Sequence, residues 1–189
     1  MLEKVIMAGF GGQGLLFMGK LVAQIMMDQD NHVTYFPSYG AEVRGGTANC
    51  HVIISDDAIY SPVIEAASTL VIMNGPSYER FAPRLEPDGL LLLNTSIATD
   101  CEPIDSGTII EIPATDEANA LGDPRVANMV MMGAYVEARD LVPIDVVLDE
   151  LAKVLAKKKP EMLTVNKAAI DRGRQILREK AEAGQFAVR

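Results

Sequence analysis

The stretch "KVIMAGFGGQGLLFMGK", residues 4–20, decides how this chain is read. Lys4 to Ala8 is a short apolar run that suits a buried strand, and "AGFGGQG" from Ala8 to Gly14 follows it. Gly9, Gly11 and Gly14 take the spacing G-x-G-x-x-G, the turn that in many α/β folds joins a first strand to a helix and receives a phosphate. Gln13 to Asp28 then repeats Leu15, Leu16, Met18, Leu21, Val22, Ile25 and Met26 at helical spacing. "HVTYF", residues 32–36, is rich in β-branched and aromatic residues and is stopped by Pro37. Strand, glycine turn, helix and strand together predict a βαβ unit.

Working outward, "SYGAEVRGG" from Ser38 to Gly46 predicts a loop, and "TANCHVIIS" from Thr47 a strand. In that strand Ala48, Cys50, Val52 and Ile54 share one face, and Asn49, His51, Ile53 and Ser55 the other. Further strands are expected at Thr69–Met73, Leu90–Leu93 and Thr108–Ile112, with a helix over Ser77–Leu85 that Pro83 limits. From Ala114 the pattern turns helical. Acidic residues open "ATDEANALGDP", Gly122 suits a C-terminal cap, and Asp123-Pro124 restarts a helix. "RVANMVMMGAYVEA" is apolar nearly all round, so that helix is buried or covered, with Met129, Met131 and Met132 as core. Two more helices are expected at Pro143–Ala156 and Val165–Glu182, with Lys157–Lys159 as cationic capping of the first. The expected fold is α/β: a single Rossmann-like, three-layer domain over residues 1–189, with a mostly parallel sheet and a helical C-terminal portion at 142–189.

Composition narrows the function. The 189 residues carry a formal net charge of −9 with few aromatics and no basic stripe, which argues against nucleic acid, whose phosphates need cationic partners. No apolar run approaches the roughly 20 residues of a membrane span. The opening "MLEKVIMAG" has none of the features of a secretory signal, so the cytoplasm is the expected location. Cys50 and Cys101 stand far apart and His32 and His51 show no ligand spacing, so neither a metal centre, an iron–sulfur cluster nor a catalytic triad is expected from these residues. Separate thiols are expected rather than a disulfide.

Two constellations remain. In the glycine turn, Gly9 would permit the tight turn, Gly11 the approach of a phosphate, and Gly14 the packing of helix on strand. Gly12 would bare backbone N–H groups beside the positive end of the helix dipole, and Gln13 would donate an amide hydrogen bond. A turn with no ligand fits the same residues. A nicotinamide dinucleotide is disfavoured, because "TYFPS" from Thr34 to Ser38 offers no carboxylate where the ribose hydroxyls need one. In the second constellation, Glu42 and Arg44 project to one side of an extended chain, to pair with each other or with a partner. Tyr39 adds a flat face and a hydroxyl, and Gly45-Gly46 admits a close approach.

"GFGGQG" followed by "SYGAEVRGGTA", with "IISDDAIYSPVI" at 53–64 and "DPRVANMVMMGA" at 123–134, resembles the gamma subunit of the 2-oxoacid:ferredoxin oxidoreductases. The resemblance runs from about Val5 to Leu141. It implies a Rossmann-like component of a heteromeric enzyme that oxidatively decarboxylates a 2-oxoacid to an acyl-coenzyme A thioester and reduces ferredoxin. Thiamine diphosphate and iron–sulfur clusters would then be held by partner subunits, a thiamine-binding and a ferredoxin-like one. This chain would carry no catalytic or metal-binding residue, would assist assembly, and would handle coenzyme A. The implied contact residues are Gly9, Gly11, Gly12, Gln13 and Gly14, then Ser38, Tyr39, Gly40, Glu42, Arg44, Gly45, Gly46 and Thr47. Arg44 would meet a phosphate, a substrate carboxylate or an acidic partner residue, with Glu42 orienting it. The second signature is closest to enzymes of branched-chain 2-oxoacids such as 2-oxoisovalerate, or of 2-oxoglutarate. A free-standing NAD(P)-dependent dehydrogenase and a non-enzymatic interaction module are the alternatives, and self-association of the isolated chain stays open.

Overall fold

A computed structural model describes residues 1–40, 46–104, 107–156 and 160–184. In chain order the elements are β1 (Leu2–Phe10), α1 (Leu15–Met27), β2 (His32–Tyr39), β3 (Thr47–Ser55), β4 (Ala67–Ile72), α2 (Gly75–Phe81) and β5 (Leu85–Asn94). They continue with β6 (Thr108–Ile112), α3 (Ala114–Ala120), α4 (Ala127–Arg139), α5 (Ile144–Ala156) and α6 (Leu163–Glu182). The chain divides into two compact units, Met1–Glu111 and Ile112–Arg189.

In the first unit the sheet runs in the order β2-β3-β1-β4-β5-β6. β4 pairs parallel with β1 and with β5, while β3 is antiparallel to both β1 and β2. β1, β2, β4 and β5 therefore point the same way, and β3 runs against them, so the sheet is mostly parallel, as the sequence indicated. The expected βαβ unit needs a correction. β2 does point along β1, but β3 lies between them, with Phe10 paired to Thr47 and Leu2 to Ser55. Strand alternation cannot reveal such an insertion, because pairing order is a long-range choice.

Several boundaries also move. β2 runs through Pro37 to Tyr39 instead of stopping at Phe36. An edge strand tolerates proline because one side of its backbone has no ladder to serve. β5 begins at Leu85, not Leu90, and α2 ends at Phe81 before a 3-10 turn at Ala82–Arg84. Asn74 starts α2 by accepting the Ser77 N–H on Oδ1 at 2.9 Å.

The two sheet faces are covered differently. α1 lies on the side of Cys50 and Val52: a Cβ on Gly19 would come within 2.4 Å of Cys50 Sγ. Leu15, Met18, Leu21, Val22, Ile25 and Met26 of α1 are all buried, each stabilising by about 1.5–3 kcal/mol relative to exposure. The other face carries Ile6, Ala8 and Ile53, packed with Ile64, Tyr78, Phe81 and Leu91. β1 is buried on both sides, which is why its apolar run is continuous rather than alternating.

The second unit is helical. α4 is buried nearly all round, and Met129, Met131 and Met132 are core, as expected. Asp123 caps the turn at Pro124–Val126 by accepting the Arg125 N–H at 3.0 Å. α4 meets α6 at glycines: a Cβ on Gly133 would stand 2.0 Å from the Ile170 carbonyl oxygen, and one on Gly173 1.9 Å from that of Val130. Glu137 of α4 accepts from Arg174 at 2.8 Å and Arg178 at 2.6 Å on α6. The lysines at 157–159, expected to cap α5, lie outside the described residues.

Candidate functional site

The antiparallel insertion of β3 brings the two sequence signatures together. β1 leads out to the glycine turn, and β3 begins beside it, so its first residue Thr47 pairs with Phe10, the last of β1. Two hydrogen bonds fix the junction. Gly11 N–H donates to the Gly46 carbonyl at 2.8 Å, and Gly40 N–H donates to the Thr47 carbonyl at 2.7 Å. Thus both ends of the second signature are held, one across the base of its own loop and one by the turn. Ser38 and Tyr39 close β2, with the Tyr39 ring 72% exposed. Glu42, Arg44 and Gly45 fall outside the described residues.

Within the turn, the roles of the glycines differ from those expected. Gly9 serves packing: a Cβ there would meet Gln13 Oε1 at 2.3 Å and both Leu15 Cδ1 and Met73 Cβ at 2.8 Å. Gly12 (φ 96°) and Gly14 (φ 75°) take left-handed conformations that make the turn and start α1. Packing of α1 on the sheet belongs to Gly19, which the sequence reading passed over. A glycine within a helical apolar pattern was its signal. Gln13 also acts in the opposite sense. Its Oε1 accepts the Phe10 N–H at 2.6 Å, while its own N–H donates to the Phe10 carbonyl at 3.3 Å.

The consequence is chemical. A phosphate-binding turn offers backbone donors to an anion, yet here Phe10 N–H is taken by a side-chain oxygen and Gly11 N–H by a backbone one. Gly14, the residue before α1, has no side chain of its own with which to cap that helix. Gly11 and Gly12 are exposed, so the turn presents an open rim over an internally bonded base.

Two titratable groups beneath α1, Tyr35 and Cys50, are held neutral. Burial, then the proximity of Cys50 and Tyr39, pushes the Tyr35 hydroxyl up to about 12. That hydroxyl donates to the Leu16 carbonyl at 3.0 Å and ties β2 to α1. Burial likewise pushes the Cys50 thiol up to about 12, partly offset by a backbone hydrogen bond at Gly19. On the opposite face, His51 Nδ1 accepts the Ile64 N–H at 3.4 Å, and its ring lies 6.3 Å from that of Phe36 and 6.5 Å from that of Phe81. Burial, then Arg84 and Arg80, lowers His51 to about 4. Among the described residues no cluster of His, Cys, Asp or Glu has the arrangement of a metal site, and no helix is long and apolar enough to cross a membrane.

The displaced second strand also bears on the nicotinamide question. In a dinucleotide fold the strand beside β1 runs parallel and ends near the turn with its ribose-binding carboxylate. Here the neighbour of β1 on the side of β2 is β3, which is antiparallel and begins there, with Thr47. Among the described residues neither the carboxylate nor the strand geometry that would supply it is present.

Known proteins agree with the two signatures. Residues 4–176 match the pyruvate ferredoxin/flavodoxin oxidoreductase family. The ketoisovalerate oxidoreductase subunit VorA of Methanothermobacter thermautotrophicus is 33% identical over 95% of this chain and 37% of its own length. The chain thus spans about a third of that relative. The 2-oxoglutarate synthase subunit KorC of Methanocaldococcus jannaschii is 28% identical over 95% of this chain and 96% of its own. The fold is that of the gamma subunit of a keto/oxoacid ferredoxin oxidoreductase from Geobacter sulfurreducens (TM-score 0.79, 24% identity, 94% of this chain, 99% of that one). It also matches part of a 2-oxoglutarate:ferredoxin oxidoreductase from Magnetococcus marinus with 2-oxoglutarate, coenzyme A and succinyl-CoA bound (TM-score 0.83, 24% identity, 94% of this chain, 31% of that one). With residues 4–176 covered by the match, the chain belongs to the pyruvate ferredoxin/flavodoxin oxidoreductase family.

Proposed function

We propose that this chain is the gamma component of a heteromeric 2-oxoacid:ferredoxin oxidoreductase. The enzyme decarboxylates a branched-chain 2-oxoacid or 2-oxoglutarate, forms the acyl-coenzyme A thioester and passes electrons to ferredoxin. The observation that carries this reading is the match to a 2-oxoglutarate synthase subunit over nearly the full length of both chains. Thiamine diphosphate and iron–sulfur clusters supply the chemistry from a thiamine-binding and a ferredoxin-like partner. This chain contributes assembly, and it meets coenzyme A at the rim made by Gly11, Gly12, Gly46, Ser38 and Tyr39, with Glu42, Arg44 and Gly45 of the same signature. Because Phe10 N–H and Gly11 N–H are already engaged, that contact is a transient one along the rim rather than a pyrophosphate held inside the turn.

The test is co-expression with the two partner subunits. The expected outcome is a stable complex that reduces ferredoxin only when 2-oxoacid and coenzyme A are both supplied, from a chain that alone is colourless and inactive. Failure to co-purify with a thiamine-binding partner overturns the assignment. Calorimetry of coenzyme A on the complex with Arg44→Ala tests the rim, and unchanged affinity removes Arg44 from it.

A further inference from the structure

The segment from Asp56 to Ala66, between β3 and β4, has no regular secondary structure, yet it is tied down along its length. Asp57 N–H donates to Ser55 Oγ at 3.0 Å and Asp56 N–H to the Met1 carbonyl at 3.2 Å. At its other end Ile64 N–H bonds His51 Nδ1, and Arg84 Nε donates to the Glu65 carbonyl at 3.1 Å, with its Nη2 on the Ile64 carbonyl. Ile64 is buried in the core and Ile59 packs against it. Between these two pins the segment turns its other large side chains outward: Tyr60 is 96% exposed and Val63 54%.

A free surface loop has no use for two apolar pins beneath an exposed tyrosine. Held in place, the tyrosine loses little freedom when it docks, which is the property of an interface anchor. The rim names the partner's charge. Asp57 and Glu65 are exposed on this segment, which has no Lys or Arg, while Asp56 beside them is paired with the N-terminal ammonium. We infer that this face docks a partner subunit that presents an apolar pocket for Tyr60 and Val63, rimmed by lysine and arginine. A second copy of this chain would bring a like acidic rim of Asp57 and Glu65 against this one, in a chain of net charge −9. The inference rests on the heteromeric reading above.

The experiment measures assembly of the chain with its co-expressed partners at low and high salt, for the wild type, Tyr60→Ala, Val63→Ser and the pair Asp57→Lys with Glu65→Lys. Tyr60→Ala and Val63→Ser are expected to weaken assembly, Tyr60→Ala by about tenfold or more, with the melting temperature of the isolated chain unchanged. The charge reversals are expected to weaken assembly at low salt and flatten its salt dependence. Wild-type assembly with all variants unaffected overturns this surface and leaves the proposed function standing. A wild type that does not assemble overturns both. Dimerisation of the isolated chain that Tyr60→Ala abolishes assigns the face to a second copy and overturns the inference.

Discussion

Gly11 donates its backbone N–H to the carbonyl oxygen of Gly46 at 2.8 Å, joining two signatures that are remote in the chain. The bond exists because β3 runs back beside β1 and starts where the glycine turn begins. It gives the turn a task that needs no ligand: it holds one end of the loop whose sequence most sharply marks the family.

The turn's glycines are expected to separate by mechanism. Gly9→Ala pushes a methyl group into Leu15 and Met73 and displaces the Gln13 amide. The destabilisation expected in urea unfolding is roughly 1–3 kcal/mol. Gly12→Ala meets nothing within 4 Å among the described residues, and the expected cost is the strain of a left-handed backbone, about 1 kcal/mol.

Gln13 is expected to act as a structural acceptor. Gln13→Ala leaves Phe10 N–H without its partner and lowers stability by about 0.5–1.5 kcal/mol. Gln13→Glu keeps an oxygen in place and retains more of that stability. Equal losses in both variants, read by denaturant titration, would show that the Phe10 bond contributes nothing.

Acid should weaken the first unit through His51. Its folded pKa, lowered to about 4 from 6.5, means that the neutral ring is the one the fold accepts. The stabilisation is complete above pH 6.5 and is lost as pH falls from there through about 4. His51→Gln, which keeps an acceptor for the Ile64 N–H, should flatten stability across that window relative to wild type. A parallel pH profile for the two proteins would contradict this.

Alanine at either glycine of the α4–α6 crossing should damage the second unit. The added methyl of Gly133→Ala or Gly173→Ala would lie within 2.0 Å of a backbone carbonyl, which no rotamer change relieves. A loss of roughly 1–3 kcal/mol or more is expected in each. Gly122→Ala, with open space but a φ of 88°, serves as the strain-only comparison.

Thiol labelling should distinguish the cysteines. Cys50 is fully buried, with its thiol pushed up to about 12, and should resist alkylation until the protein unfolds. Cys101 is partly exposed, with its thiol also raised by burial first and then by Asp100 and Glu79, so it should react slowly in the folded state. Rapid labelling of Cys50 under native conditions would contradict this packing.

Local sequence carried the elements well where one period dominated. β3 at Thr47–Ser55 and β6 at Thr108–Ile112 match the expected spans, and α1, α4 and α6 lie where helical spacing put them. Pro37 misled because proline breaks a paired strand but not the outer side of an edge, and whether a strand is an edge is not written in its own residues. Gly9 took a packing role in place of the expected turn for a similar reason. The motif states that small residues are needed, while the neighbours that enforce it, Met73 and Leu15, become neighbours only on folding.

By itself, then, the sequence determined the class of fold, which follows from periodicity, and its paired motifs carried the resemblance to the family. Only the tertiary structure decided that β3 lies between β1 and β2, that Gln13 and Gly46 occupy two donors of the turn, and that Tyr60 stands exposed between half-buried Ile59 and buried Ile64. Each of these is a contact between segments distant in the chain, and such contacts are selected by how the faces bury together rather than by any local preference of the residues.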